Sequence, residues 1–431
     1  MVRVTDMTHG RPIRLILLFS LPLMLGSVFQ QLYTIVDTII IGRGVGMQAL
    51  ASIGAADWIN WLVLWGLQGF TQGFAILAAQ EFGAGAYDRL RRVLAMIVKL
   101  SCWFGIAVTI ISLLLVRPLL TLLHTDPAVF GGAQTYLYVQ FGGSLIIIAY
   151  NMAAAVLRCL GDSRTPLFAI IAASFANIAL DLLFVMGFGW GIFGASFATV
   201  LAQLIAFLLC LRSLWRLPFV QLTKADWKTD PAILLHLCRL GIPTGLQMSM
   251  ITLGGMVLQS VLNGFGVVFV AGYTAANKLY GILESASVAF GYAMTAYMGQ
   301  NRGARNAARI DAGIRAVLVL SAEFTAAIVT AMLVAGKPLL GLFLSTEEAG
   351  AADALAVAYQ YLMVLMAFLF ALFMLQAYRS SLQGLGEMTV PTLSGFAEML
   401  MRMGAALVLP TFIGQSGVFF AEGAAWVCAA A

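Results

Sequence analysis

Long apolar runs separated by short polar stretches cover almost the whole chain. They lie at residues 15–42, 49–80, 93–116, 134–157, 166–188 and 191–213, and again at 240–263, 267–298, 312–336, 355–381, 390–413 and 417–431. A helix needs about 20 such residues to cross the hydrocarbon layer, so each run but the last is long enough to span a membrane. The longest polar interval, 215–239, carries Arg216, Lys224, Asp226, Lys228 and Asp230 and divides the runs six and six. The pattern predicts an all-α polytopic membrane protein: an amino-terminal lobe at 1–214, a linker at 215–239 and a carboxyl-terminal lobe at 240–431. The final run, 417–431, would reach only about 22 Å as a helix. It leaves open a chain that stops inside that helix or a helix that is short by nature.

The halves repeat each other. The stretch RPLLTLLHTD (117–126) returns as KPLLGLFLSTE (337–347), a shift of 220 residues. At the same shift AAD (55–57) meets AAN (275–277), and Gln80 and Gly83 meet Gln300 and Gly303. CLGDSRTP (159–166) meets GLGEMTVP (384–391) at a shift of 225. Six helices per half make the repeat parallel, with a pseudo-two-fold axis along the membrane normal and a cavity between two lobes. Cationic residues gather on one side: Arg3, Arg11 and Arg14; Arg89, Arg91 and Arg92; Arg158 and Arg164; the linker; and Arg302, Arg305 and Arg309. The opposite loops hold Arg43, Arg117 and Lys337, so both termini are expected in the cytoplasm of a multi-pass plasma or inner membrane protein.

Composition narrows the class. The chain is 61% hydrophobic and 10% charged, against about 25% charged in soluble domains. Its net charge of +5 is therefore a topology signal and not a nucleic-acid footprint. The first ten residues lack a cleavage-site pattern and the run behind them is too long for a signal-peptide core, so it should stay in the mature protein. Cys102, Cys159, Cys210, Cys238 and Cys428 have no CxxC spacing, and His9, His124 and His236 form no cluster, so no metal site is expected. No GxxxxGK[ST] motif offers an ATP site; no cofactor is expected and the energy must come from an ion gradient. The 20 Met and 43 Gly read mainly as packing residues of a helical bundle. Gln68 and Gln72 read as interhelical hydrogen-bond partners.

The candidate chemistry sits in the first half. The first run carries one carboxylate, Asp37, with Gln30, Tyr33 and Thr34 at helical spacing on the same face, and Pro22 marks a hinge. An acid at that depth costs about 2.5–3.5 kcal/mol to insert, so it faces protein or water. It reads either as a structural acid near the outer surface or as an ion-titrated carboxylate in a transport cavity. Asn177 and Asp181 follow at i, i+4 in the fifth run, and Thr199 and Gln203 at i, i+4 in the sixth. Two desolvated acids raise each other's affinity for a proton or cation, and neutral oxygens suit a hard ion such as Na+. Gln30, Tyr33, Thr34, Tyr136 and Gln203 are the candidate substrate-cavity residues. In the second half Glu398 and Arg402, at i, i+4, read as a structural ion pair, while Lys278, Glu284 and Glu323 have no evident partner.

These residues resemble a known family. The six-plus-six repeat, P...VDTIIIGRG in the first run, RCLGDSRTP (158–166) after the fourth and GQNRGA (299–304) after the eighth look like MATE, the multidrug and toxic compound extrusion transporters, over nearly the whole chain. The resemblance implies a secondary transporter, not an enzyme, that exports organic cations or other amphipathic drugs in exchange for H+ or Na+ by alternating access. It also implies a DinF-like ion site at Asp37, Asn177, Asp181 and Thr199, a bending first-helix proline at Pro22, and a monomer in the lipid bilayer. Other branches place acids in the seventh and tenth helices; residues 241–263 and 359–383 here contain none, which favours coupling in the amino-terminal lobe. The nearest rival is a lipid-linked oligosaccharide flippase of similar topology, and an intramembrane enzyme is a more distant one.

Overall fold

Proline and aspartate start many of the helices. In the computed structural model, which describes residues 4–343 and 350–431, α1 (Pro12–Gly44) opens with Pro12 at its first turn, where the missing N–H costs nothing. Then follow α2 (Met47–Gly83), α3 (Tyr87–Leu122), α4 (Pro127–Gly142), α5 (Ser144–Cys159), α6 (Arg164–Asp181) and α7 (Gly191–Trp215). Asp126 caps α4 by accepting the Ala128 N–H at 2.8 Å. The linker holds two 3-10 turns, Pro218–Val220 and Lys224–Trp227. The second half consists of α8 (Pro231–Leu262), α9 (Val267–Gly303), α10 (Ala307–Gly341), α11 (Ala351–Gly384), α12 (Thr389–Ile413) and α13 (Phe420–Ala430). Arg3 and positions 344–347 of the second repeat signature lie outside the described residues.

Twelve membrane segments result, in two six-helix lobes. Among the described residues nine helices are individually long and apolar enough to span, and α4 with α5 form a tenth span bent by 49°. α9 and the short α13 complete the set. Three expectations change. The run 134–157 is not one helix but breaks at Gly143, where a Cβ would approach Val200 of α7 to 2.5 Å; only a glycine lets the bend tuck in so closely. α8 starts nine residues earlier than the apolar pattern, at Pro231, because Asp230 caps it through the Ala232 and Ile233 N–H groups. α6 does not run on regularly to 188: after Asp181 it widens into a π turn, Leu182–Gly187.

The repeat is visible in the packing. The first helix of each half carries an internal proline, Pro22 in α1 and Pro243 in α8, and so does the third, Pro118 in α3 and Pro338 in α10. α2 and α9 cross at their repeat-related ends. A Cβ on Gly83 would collide with the Gln300 backbone, and one on Gly303 with the Gln80 backbone. Gln80 Nε2 donates to the Gly384 carbonyl at 3.1 Å, and Gln300 Nε2 to the Cys159 carbonyl at 2.9 Å. α1 bridges the lobes, since Ile16, Phe19 and Leu23 belong to the core built from α9, α10 and α11.

Candidate functional site

Three helices of the first half bring the predicted ion residues together. Asp37 comes from α1, Asn177 and Asp181 from the last turns of α6, and Thr199 from α7. The Asp37 and Asp181 carboxyls meet within hydrogen-bonding reach. As carboxylates neither offers the other a donor: Asp37 Oδ1 and both Asp181 oxygens are buried without a hydrogen-bond partner. Asp181 and Asn177 are 0% and 1% exposed, and both polar atoms of the Asn177 amide are also unpartnered. Buried polar groups are normally satisfied, so five orphaned polar atoms on three side chains in one place mark a site that binds something. A proton shared between the carboxyls, or a small cation among these oxygens, satisfies them together.

A cavity of about 40 Å³, with room for about two or three waters, reaches Asn177 one helical turn before Asp181, and neither aspartate lines it. Gln30, Tyr33, Asn177, Thr199 and Gln203 line it together with Ser174 and Tyr150. The Thr199 hydroxyl donates to the Ala195 carbonyl at 3.2 Å, which leaves its lone pairs turned to the void. The aspartates lie one helical turn beyond Asn177, against an apolar cluster of Ile40, Ile41, Ala49, Val185 and Ala195. The π turn that begins immediately after Asp181 supplies Val185 to that cluster, and a Cβ on Gly44 would approach Val185 to 2.9 Å. Such a widened turn re-aims the side chains beside it and is a frequent companion of functional sites.

Two predicted cavity residues stand apart from this void. The Thr34 hydroxyl is turned back onto the Gln30 carbonyl at 2.9 Å and the residue is exposed. Tyr136, on α4, receives the Asn60 amide N–H at 3.3 Å. Tyr136 nevertheless belongs to the same electrostatic neighbourhood, through a carboxylate that the sequence pattern had not singled out. Asp57 of α2 lies within electrostatic reach of both Asp37 and Tyr136. Its signal in the sequence was an i, i+3 pairing with Asn60 inside an apolar run. Pro22 sits within an unbroken α1, where the missing N–H leaves the Leu18 carbonyl without its helical donor.

The second half holds a separate polar network. Glu398 accepts Arg379 Nη2 and Arg402 Nη2, each at 2.8 Å, and Arg402 also pairs with Glu422 at 2.8 Å. The expected Glu398–Arg402 pair is therefore one edge of a larger structure that includes Arg379 and Glu422. Glu284 is not partnerless: it faces the Tyr280 hydroxyl, Glu422 and Arg402. Lys278 is exposed and Glu323 exposed. Gln68 does bond between helices, donating to the Tyr292 hydroxyl at 2.7 Å. Among the described residues no His, Cys, Asp or Glu grouping suited to a metal ion occurs.

With this geometry in view, the chain belongs to the MatE family, whose model matches residues 22–183 and 243–408, one stretch in each half. It is 33% identical over 368 residues to the probable multidrug resistance protein YpnP of Bacillus subtilis, covering 84% of this chain and 80% of that protein. It is 27% identical to the probable multidrug resistance protein YoeA of the same organism, covering 80% of this chain and 76% of that one. The fold matches the crystal structure of MATE in complex with MaL6 with a TM-score of 0.90 at 23% identity, over 100% of this chain and 96% of that chain. A MOP superfamily transporter from Pyrococcus furiosus gives 0.90 at 24% identity, over 99% and 95%.

Proposed function

We propose that this chain is a secondary active multidrug exporter that exchanges organic cations or other amphipathic drugs for H+ or Na+ by alternating access. The moving bodies are the lobes 1–214 and 240–431, joined by the 215–239 linker. Relatives named as multidrug resistance proteins support drug export. The observation that carries ion coupling is the contact of Asp37 with Asp181, one helical turn from a cavity that Asn177, Thr199 and Gln203 line. Two carboxyls in contact at low dielectric cannot both stay ionised, so the pair takes up a proton, or a sodium ion that Asn177 and Thr199 help to coordinate. Occupancy then governs the pose of α1, which bends at Pro22 because that turn already lacks a hydrogen bond. Drug leaves as the ion arrives.

Gln30, Tyr33, Thr34, Tyr136 and Gln203 face the drug in this scheme. Acids and amides suit a positively charged drug; a flippase for lipid-linked oligosaccharides calls for cationic residues to hold pyrophosphate. The arginine-rich loops support cytoplasmic termini and linker in a plasma or inner membrane, with the monomer as the working unit. Ethidium transport in inside-out vesicles, driven by separately imposed proton and sodium gradients, tests the reading. Transport driven by one of these gradients supports it; transport indifferent to both contradicts it.

A further inference from the structure

The first lobe contains a third carboxylate that the two-acid site does not use. Asp57 stands ten residues into α2, and Asn60 follows one turn later on the same face. Asn60 is 4% exposed; its amide N–H reaches Tyr136 on α4 at 3.3 Å, while its Oδ1 is buried with no partner. Asp57 in turn faces Tyr136 and Asp37, and among the described residues no hydrogen-bond donor reaches its carboxyl. The charged and titratable groups around the three acids are the acids themselves with Tyr33 and Tyr136; among the described residues no Lys or Arg comes within electrostatic reach of any of them. Three acids, Asp181 fully buried and Asp37 and Asp57 half-buried, thus lie on α6, α1 and α2 with no Lys or Arg beside them among the described residues.

We propose that Asp57, with Asn60 Oδ1 and the Tyr136 hydroxyl, forms a second subsite for the coupling cation in the α2–α4 seam, so that each cycle exchanges two positive charges. This inference rests on the ion-coupled reading above. The charge count follows from geometry. Asp37 and Asp181 touch, so their pair keeps one proton at low dielectric and offers one exchangeable position. Asp57 stands on α2, outside the touching pair; with Asn60 one turn away on its own face and Tyr136 within electrostatic reach, it offers a second position. The ligand is the same hard monovalent ion, H+ or Na+, whose shell a carboxylate, an amide oxygen and a phenol oxygen can complete.

Two ions entering for one monocation leaving moves one net charge, whereas one for one moves none. In proteoliposomes with a fixed ion gradient, run once with protons and once with sodium, the steady ethidium gradient of the wild-type protein should grow about fifty-fold when an opposing-sign-free potential of about 100 mV, negative on the ion-receiving side, is added with potassium and valinomycin. Asp57→Asn should still exchange ethidium but lose that response. A permanent dication, propidium, carried by the wild-type protein should not respond to potential, since two charges then cross each way. If Asp57→Asn carries no dye, the wild-type comparison of ethidium with propidium decides alone. A wild-type ethidium gradient indifferent to potential, or an Asp57→Asn protein that keeps the full response, overturns the second subsite and leaves ion coupling at Asp37 and Asp181 intact. A dye gradient that answers to no ion gradient in any variant overturns the coupling itself.

Discussion

Gln80 and Gln300 make the same hydrogen bond in opposite directions across the lobe boundary. Gln80 donates to the Gly384 carbonyl and Gln300 to the Cys159 carbonyl, and donors and acceptors alike are related by the internal repeat. Gln300 does more, because its Oε1 also accepts the Met7 N–H at 2.8 Å and it is fully buried. Removing a buried side chain that satisfies backbone groups costs about 1–3 kcal/mol per group left unpaired. Gln300→Ala should therefore lower the melting temperature in detergent more than Gln80→Ala. Equal losses from the two variants would mean that the latch is not weighted as its contacts indicate.

The network in the second lobe predicts an order of damage. Glu398→Gln leaves Arg379 and Arg402 both buried without their shared carboxylate, at a cost of about 3–5 kcal/mol. Glu422→Gln removes a carboxylate from Arg402 alone, which keeps Glu398 and the Ile251 carbonyl at 3.2 Å. Thermal melting of purified protein should rank Glu398→Gln well below Glu422→Gln. The reverse order would remove Glu398 from the centre of the network.

Pro22→Ala gives the Leu18 carbonyl a helical donor and replaces the least favourable helix residue by the most favourable, a change of about 3 kcal/mol in an unstrained helix. The variant should melt higher than wild type, bind ethidium with similar affinity and export it several-fold more slowly. Unchanged export would mean that α1 does not bend at this turn.

Much of this was legible beforehand and some was not, for one physical reason. Run lengths, loop charges and the repeat record how the chain meets lipid and water, and they located the twelve segments and the pairing of the halves. Which way a helix faces is recorded only weakly when every side of it is apolar, so nothing in the run 49–80 turned Asp57 toward Asp37. The convergence of Asp37, Asn177 and Asp181 was readable because polar groups in lipid must find one another. The break at Gly143 was hidden because α4 and α5 are equally apolar on both sides of it; the close approach of Val200 is a tertiary fact. Arg379 and Glu422 lie in different helices from Glu398, and sequence spacing could expose only the i, i+4 edge to Arg402.

The linker gives a pH prediction. Burial opposes ionisation of Asp226, but the Thr223 N–H at 2.8 Å and hydroxyl at 2.7 Å, with Arg91 nearby, outweigh it and hold the carboxyl below its ordinary range. A carboxyl depressed in the folded state adds stability above its unfolded pKa, and loses it as pH falls through the folded value. Order in the 224–227 turn should persist through neutral and mildly acidic pH and weaken only in strong acid. Asp226→Ala should cost about 1 kcal/mol at neutral pH. Hydrogen exchange of the linker amides measures both; protection that fades near neutrality would contradict the assignment.

Ion flux driven by a drug gradient tests the central claim most directly. In proteoliposomes carrying the wild-type protein, an imposed ethidium gradient alone should drive protons or sodium in the opposite direction. Asp37→Asn, reconstituted to the same density, should lose that flux. Wild-type ion flux from the Asp37→Asn protein would show that the Asp37–Asp181 contact is not where the travelling ion is held.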